Sequence, residues 1–253
     1  MRMKTLEVPF TPADFAALKK RDLANTVCVV FDVFRATSSM ITALANGAEA
    51  ITPVSEIPEA LAIRKQNPSV LLAGERDGVR IRANLTGGTD FDLGNSPREF
   101  TREKVAGKII VMSTTNGTRA LRSCAHAKMV LVSSFLNLRA TADFIEQASP
   151  ENLLIICSGT HDQAAYEDTL AAGALCDSVW DHLSEDGIAD SAKIARELYQ
   201  LAKKDLPNTA SQSRNGRRLS GIPELRDDVP FCLQRNIFDL AAVMDQDGKV
   251  RRI

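Results

Sequence analysis

The segment Asp32-Val33-Phe34-Arg35-Ala36-Thr37-Ser38-Ser39 sets a carboxylate, a guanidinium and several hydroxyls between an apolar run and a helix-like stretch. The amino end of a helix offers unpaired N–H groups and the positive pole of its dipole, so such a turn suits an anion, phosphate above all. Arg35 can grip an oxyanion with two parallel hydrogen bonds. Asp32 would repel that anion unless a cation lies between them, which points to a divalent metal as the third party. The plain alternative makes Asp32 a strand terminator and Thr37 a helix cap.

A second turn, Thr114-Thr115-Asn116-Gly117-Thr118-Arg119, has the makings of the same cradle without the acid. Thr115, Asn116, Gly117, Thr118 and Arg119 are candidate anion contacts, although Asn-Gly also marks ordinary turns. Neither turn holds a lysine or the G-x-x-x-x-G-K-[ST] pattern of a P-loop. Acids that could share a metal with Asp32 are Glu75, in Gly74-Glu75-Arg76-Asp77-Gly78, and the pair Glu167-Asp168 at the start of a helix, where the dipole alone also favours acids. Mg²⁺ suits such sparse ligands, since it takes one or two protein carboxylates plus waters and substrate oxygens. Among the three histidines only His161 falls in a strand-end turn, as a general acid or a substrate contact. Other machinery is missing: Cys124 and Cys157 lack the arginine a cysteine phosphatase needs, Phe34 replaces the second acid of an Asp-x-Asp pair, and neither G-x-S-x-G nor H-E-x-x-H occurs.

Alternating elements must position these turns. Apolar, β-branched stretches predict strands over 27–31, 50–54 and 70–73, with helices over 38–46 and 56–66 between them. The order recurs with strands over 108–112, 129–133 and 153–156 and helices from 118 to about 124 and over 138–147. The two sets repeat at roughly 80 residues, which predicts an internal duplication of a β-α-β-α-β unit. Such alternation gives an α/β fold of three layers, α/β/α, with a mostly parallel sheet and ligands beyond the carboxyl ends of its strands. One domain over 1–253 is expected, with halves over about 25–100 and 107–190 and a C-terminal closing segment over 191–253. In that segment 190–204 reads as a helix with Ile194, Leu198 and Leu201 on its apolar side, 207–223 as a long loop, and Asp247-Gly248 as the turn of a closing hairpin. Near the start, Thr11 before Pro12 reads as a helix cap.

Composition limits the partners. The 253 residues carry 31 Lys and Arg against 32 Asp and Glu, a net charge of −1, with 5% aromatics. Without basic clusters or stacking platforms, nucleic acid is not an expected partner. No apolar run reaches the ~20 residues that span a bilayer, no membrane is expected, and five widely spaced cysteines without a C-x-x-C pair fit a reduced, cytoplasmic setting. A homodimer is compatible with the composition.

DVFRATSSMITAL, GERDG, FDLGNSP, STTNGTRAL, the spacing of Cys157, Gly159, Glu167, Asp168 and Gly173, and RDDVPFC near the end together resemble the 2-phosphosulfolactate phosphatase family. The resemblance spans about residues 25–240. It implies a magnesium-dependent hydrolase of a small phosphate monoester, converting 2-phosphosulfolactate to sulfolactate and phosphate on the route to coenzyme M. It also implies two similar intertwined halves about a pseudo-twofold, and adds Asn95 and Ser96 of GNSP to the candidate substrate contacts. Two departures bear on recognition: Asp77 stands where the family more usually has glycine, and the stretch over 78–92 is longer than its Gly-rich loop.

The reading that joins these features is metal-assisted hydrolysis. Asp32, with one or more of Glu75, Glu167 and Asp168, holds Mg²⁺; Asp32, Arg35, Glu167 and Asp168 are the candidate catalytic residues. Thr37, Thr115, Asn116, Gly117, Thr118 and Arg119 bind the anion, with Arg76 and the Arg214, Arg217, Arg218 group for a far anionic end. Direct attack by water and transfer through Asp32 both remain open. The rival reading is a non-catalytic sensor of a phosphorylated metabolite.

Overall fold

The computed structural model describes residues 3–253. In chain order, β1 (Thr5–Glu7), α1 (Phe15–Leu18), β2 (Thr26–Phe31), α2 (Ala36–Ala45), β3 (Ala50–Val54), α3 (Ile57–Gln66), β4 (Leu71–Arg76), β5 (Val79–Arg80), α4 (Ala83–Thr86) and α5 (Arg102–Val105) form the first part. The second comprises β6 (Ile109–Ser113), α6 (Gly117–Ser123), β7 (Met129–Ser133), α7 (Leu138–Ala148), β8 (Asn152–Cys157) and α8 (Tyr166–Val179). Then follow α9 (Asp190–Ala202), α10 (Leu206–Ser211), α11 (Arg214–Ser220), α12 (Asp228–Cys232), β9 (Ala242–Met244) and β10 (Val250–Arg252).

The ten strands among the described residues join one sheet in the order β1-β8-β2-β7-β9-β10-β3-β6-β4-β5. Within β1-β8-β2-β7 and within β3-β6-β4 neighbours run parallel, and the antiparallel β9–β10 hairpin joins the two sets. Exchanging β2 with β6, β3 with β7 and β4 with β8 turns the order β8-β2-β7…β3-β6-β4 into its own reverse, as a pseudo-twofold requires. The first strand of each half lies at the centre of the other half's parallel set, so the halves intertwine.

Burial explains why these runs are strands. Along β2, Val27, Val29 and Phe31 enter one core while Cys28 and Val30 enter another, the pattern of a strand covered on both faces. The first core also takes residues from α7, α8 and α9. The second joins both parallel sets and the hairpin to α2 and α6, and a third, with Ala60 of α3, covers the far face of β3, β6 and β4. The layers are therefore α/β/α.

Two local expectations change, and two further features complete the sheet. The apolar side read for α9 is the packed one only in part: Leu198 packs against the first core, but Ile194 and Leu201 are 56% and 83% exposed, and Ala192, Ala195, Tyr199 and Ala202 are the buried residues. Close approach decides this, because a Cβ on Gly173 of α8 would lie 2.0 Å from the Ala195 carbonyl oxygen. The stretch over 207–223 holds α10 and α11; Ser213 caps α11 by accepting from the Gly216 N–H at 2.9 Å. The expected hairpin forms, with Gly248 at φ 73°, and it lies in the middle of the sheet. Strand β1, too short to carry a periodic signal, extends the sheet beyond β8. Among the described residues no helix is long and apolar enough to cross a membrane.

Candidate active site

Four strand-end turns meet at one cleft. Asp32, Phe34 and Arg35 come from the end of β2, Glu75, Asp77 and Gly78 from β4, Thr115 and Asn116 from β6, and Gly159, Thr160 and His161 from β8. The first turn of α8 adds Glu167 and Asp168, and Asn95 joins the wall. Asn215, Arg218 and Leu219 of α11, with Ile222, line the remaining side.

Asp32 stands where two helices begin. Its Oδ1 accepts from the Ala36 N–H of α2 at 3.0 Å, and Oδ2 lies so close to Gly117 at the start of α6 that a Cβ there would come within 2.7 Å. Asp32 itself therefore occupies the amino end of α2 that the sequence assigned to an anion. Burial raises its pKa from 3.8 to about 6; the Ala36 N–H and the Ser158 hydroxyl pull it down, and the charges of Glu75 and Glu167 push it up.

The other acids are held differently. Asp168, 2% exposed, accepts from the Val33 N–H at 2.8 Å on Oδ1, and from the Ser158 hydroxyl at 3.1 Å and the Gly159 N–H at 3.2 Å on Oδ2. Burial, then the charges of Glu167 and Asp32, lift its pKa well above the usual range. Glu167 accepts from the Asn215 amide N–H at 2.6 Å on Oε1, while its Oε2 is buried without a hydrogen-bond partner among the described residues. Burial raises it as well, against the Asn215 and Ser213 hydrogen bonds and the charge of Arg214. Glu75 accepts from the Thr115 N–H and hydroxyl, both at 2.9 Å, and from the Gly78 N–H at 2.7 Å. No three His, Cys, Asp or Glu side chains among the described residues form a ready metal cluster. A carboxylate pair is nonetheless enough for Mg²⁺, and the lone Glu167 oxygen beside mutually repelling acids fits a small hard cation.

The proposed anion contacts divide. Thr115, Asn116 and His161 line the cleft, and Asn95 does so with its Oδ1, like that of Asn116, buried and without a partner among the described residues. Arg35 lines it too, but Nη1 donates to Asp228 Oδ2 at 2.7 Å and Nη2 to the Gly78 carbonyl at 2.6 Å. Thr37, fully buried, spends its hydroxyl on the Asp32 backbone, and that of Thr118 goes to the Thr114 carbonyl. Arg76 ties the ends of three strands together through Ser55, Glu75 and Ser113. Ser96 donates to Asp228 at 2.6 Å, and Arg119 lines a separate groove with Lys19 and Lys20. Gly117 serves by leaving room. Of the far-end arginines, Arg218 reaches the cleft and the Asp77 carbonyl, Arg214 braces Thr160 and Gln163, and Arg217 bonds the Gln212 carbonyl.

Two important residues lay outside the candidates. Asp228, fully buried, accepts from Arg35, Ser96 and Arg98, so it fixes the guanidinium at the cleft wall. Its only cue was an acid beside Val229 and Phe231 in RDDVPFC. Asn215, bridging Thr160 and Glu167, lay in a stretch read as loop. Cys157 is buried, and burial drives its thiol well above the usual value, which removes it as a nucleophile.

Residues 14–247 match the family model described as 2-phosphosulpholactate phosphatase. A protein of Caldanaerobacter subterraneus named probable 2-phosphosulfolactate phosphatase is 36% identical over 239 residues, covering 94% of this chain and 95% of that protein. Proteins of the same name are 37% identical over 227 residues in Pseudothermotoga lettingae (89% of this chain, 92% of that one) and 36% over 227 in Symbiobacterium thermophilum (89% and 94%).

Proposed function

The chain belongs to the 2-phosphosulfolactate phosphatase family, whose members are phosphoric monoester hydrolases, and from that premise we propose that its cleft hydrolyses a small 2-phospho acid with the help of Mg²⁺. The names of the relatives favour 2-phosphosulfolactate as the substrate and sulfolactate and phosphate as the products. One observation carries the reading: four acids from three turns, Asp32 after β2, Glu75 of β4, and Glu167 and Asp168 opening α8, converge on one cleft, where burial raises the pKa of Asp32, Glu167 and Asp168. A site built only to bind an anion gains nothing from that charge.

Asp32 and Glu167 would hold the metal. Bound there, Mg²⁺ would neutralise charge on the phosphoryl oxygens as the transition state forms. Asp168 positions rather than binds, since its three hydrogen bonds tie the ends of β2 and β8 together. The amides of Asn95 and Asn116 supply contacts to the ester, and His161 on the exposed rim gives a proton to the departing alkoxide.

The test is phosphate release from 2-phosphosulfolactate and 2-phospholactate with Mg²⁺, with a chelator, and with Asp32→Asn. Chelator-sensitive release that the variant loses supports the proposal. Saturable binding without turnover would instead support a sensor, and release indifferent to chelator would remove the metal.

A further inference from the structure

A second cavity adjoins the first: Arg35, Gly78, Asn95 and Ile222 line both, and beyond them Arg80 and Arg82 line only the second. The reacting end is ringed by acids, so a second oxyanion on the substrate would be repelled there and needs cations elsewhere. Most nearby arginines are already engaged: Arg35 with Asp228, Arg76 with strand-end carbonyls, Arg214 with Thr160 and Gln163.

Arg80 is different. It makes no side-chain hydrogen bond among the described residues, and its Nε is buried without a partner. The Glu99 Oε2 near its Nη2 is 4.0 Å away and already accepts from the Gly94 N–H at 3.0 Å. Strand pairing sets Arg80 directly across from Glu75, so the same hairpin carries a cleft acid and this cation. Arg82, looser and more exposed, stands 3.5 Å from Asp90. Asn95 sits where the cavities join.

We propose that Arg80, with Arg82 at the rim, is the subsite for a second oxyanion, sulfonate or carboxylate, carried on the leaving alcohol. A guanidinium with free donors can take two oxygens of such a group at once. The cleft then selects phosphate esters that are acidic at both ends. This inference rests on the phosphatase reading of the adjoining cleft.

The test compares wild type, Arg80→Gln and Arg80→Lys in kcat/KM for 2-phosphosulfolactate and for phenyl phosphate, which has no second anion, and in calorimetric affinity for sulfolactate. In Arg80→Gln the preference for the doubly acidic ester is expected to fall about 10–100-fold, chiefly through KM, with sulfolactate binding weakened in parallel. Arg80→Lys keeps the charge but loses the fork, and should fall between; it decides the matter if the glutamine variant fails to fold. An unchanged preference with unchanged sulfolactate affinity overturns the subsite. If wild type hydrolyses neither ester, the phosphatase reading fails, and sulfolactate affinity alone then judges Arg80.

Discussion

Asp32 divides its two oxygens between fold and function, one capping α2 and the other lying beside Gly117 at the cleft. Its folded pKa of about 6 stands above the ordinary 3.8, so the native state holds the proton more tightly than the unfolded chain does. Stability from this group therefore falls as pH rises between those values, and the full penalty applies above pH 6. Asp32→Asn keeps the cap acceptor and removes the charge. It should stabilise the metal-free protein at pH 7.5 by on the order of 1–3 kcal/mol, flatten the loss of Tm between pH 5 and 7.5, and cut phosphate release by roughly 10²–10³-fold or more. Calorimetric scans at the two pH values, beside the activity assay, check all three. The opposite sign is expected at Asp228, where alanine would leave Arg35 buried and unpaired; urea midpoints should show a loss of about 3–5 kcal/mol. The acids were legible because Asp32 and Glu75 follow apolar strand runs and Glu167 and Asp168 open a helix, places at which the sequence alone marks a carboxylate. The cations and hydroxyls were not, because direction decides their use: Gly117 faces Asp32, while Arg119, two residues on and about 200° around the helix, faces the Lys19 groove.

Elements meet closely at the site only where side chains are absent. A Cβ on Gly117 would lie 2.7 Å from both Ala36 Cβ and Asp32 Oδ2, so Gly117→Ala must move α6 away from α2 and displace the carboxylate. An activity loss of at least about tenfold is expected, with the fold retained by circular dichroism; full activity would show that the two helix starts are not coupled through Asp32. Gly173 does the same for α8 and α9. Gly173→Ala should cost about 1–3 kcal/mol, read as a lower urea midpoint, because the Ala195 carbonyl must give way. This contact also explains what periodicity missed. Ile194, Leu198 and Leu201 give the stronger apolar pattern, but small residues let the backbones approach, and packing follows Ala192 and Ala195, with Leu198 alone of the three against the core. Helices α10 and α11 were hidden for a related reason: Asn, Ser, Gly and Arg read as loop, and it is the Ser213 cap and burial of Ala210, Gly216 and Leu219 that hold them as helices.

At the scale of the molecule the repeat in the sequence and the symmetry of the sheet describe the same object. The roughly 80-residue period gave the strand correspondences, and the strand order satisfies them about a pseudo-twofold. What the period could not convey was the joint. The turn of the last hairpin was visible in Asp247-Gly248, but its place between β7 and β3 depends on pairing across more than a hundred residues, for which a local pattern carries no signal. That place gives the hairpin an effect out of proportion to its length. Strands β7 and β3 both pair with it, and Ala242, Met244 and Val250 belong to the core shared with α2 and α6. Without β9 and β10, each parallel set would present an unpaired edge, the form of strand most prone to wrong association. Deletion of 240–253 is therefore expected to abolish the cooperative thermal transition and leave an aggregating chain, although no cleft residue is removed. A milder probe is Val250→Asp, which puts a charge at a fully buried position in the joint and should lower stability by several kcal/mol, of order 3–5. A soluble truncated chain that melts cooperatively and releases phosphate would mean the two parallel sets hold together without their joint.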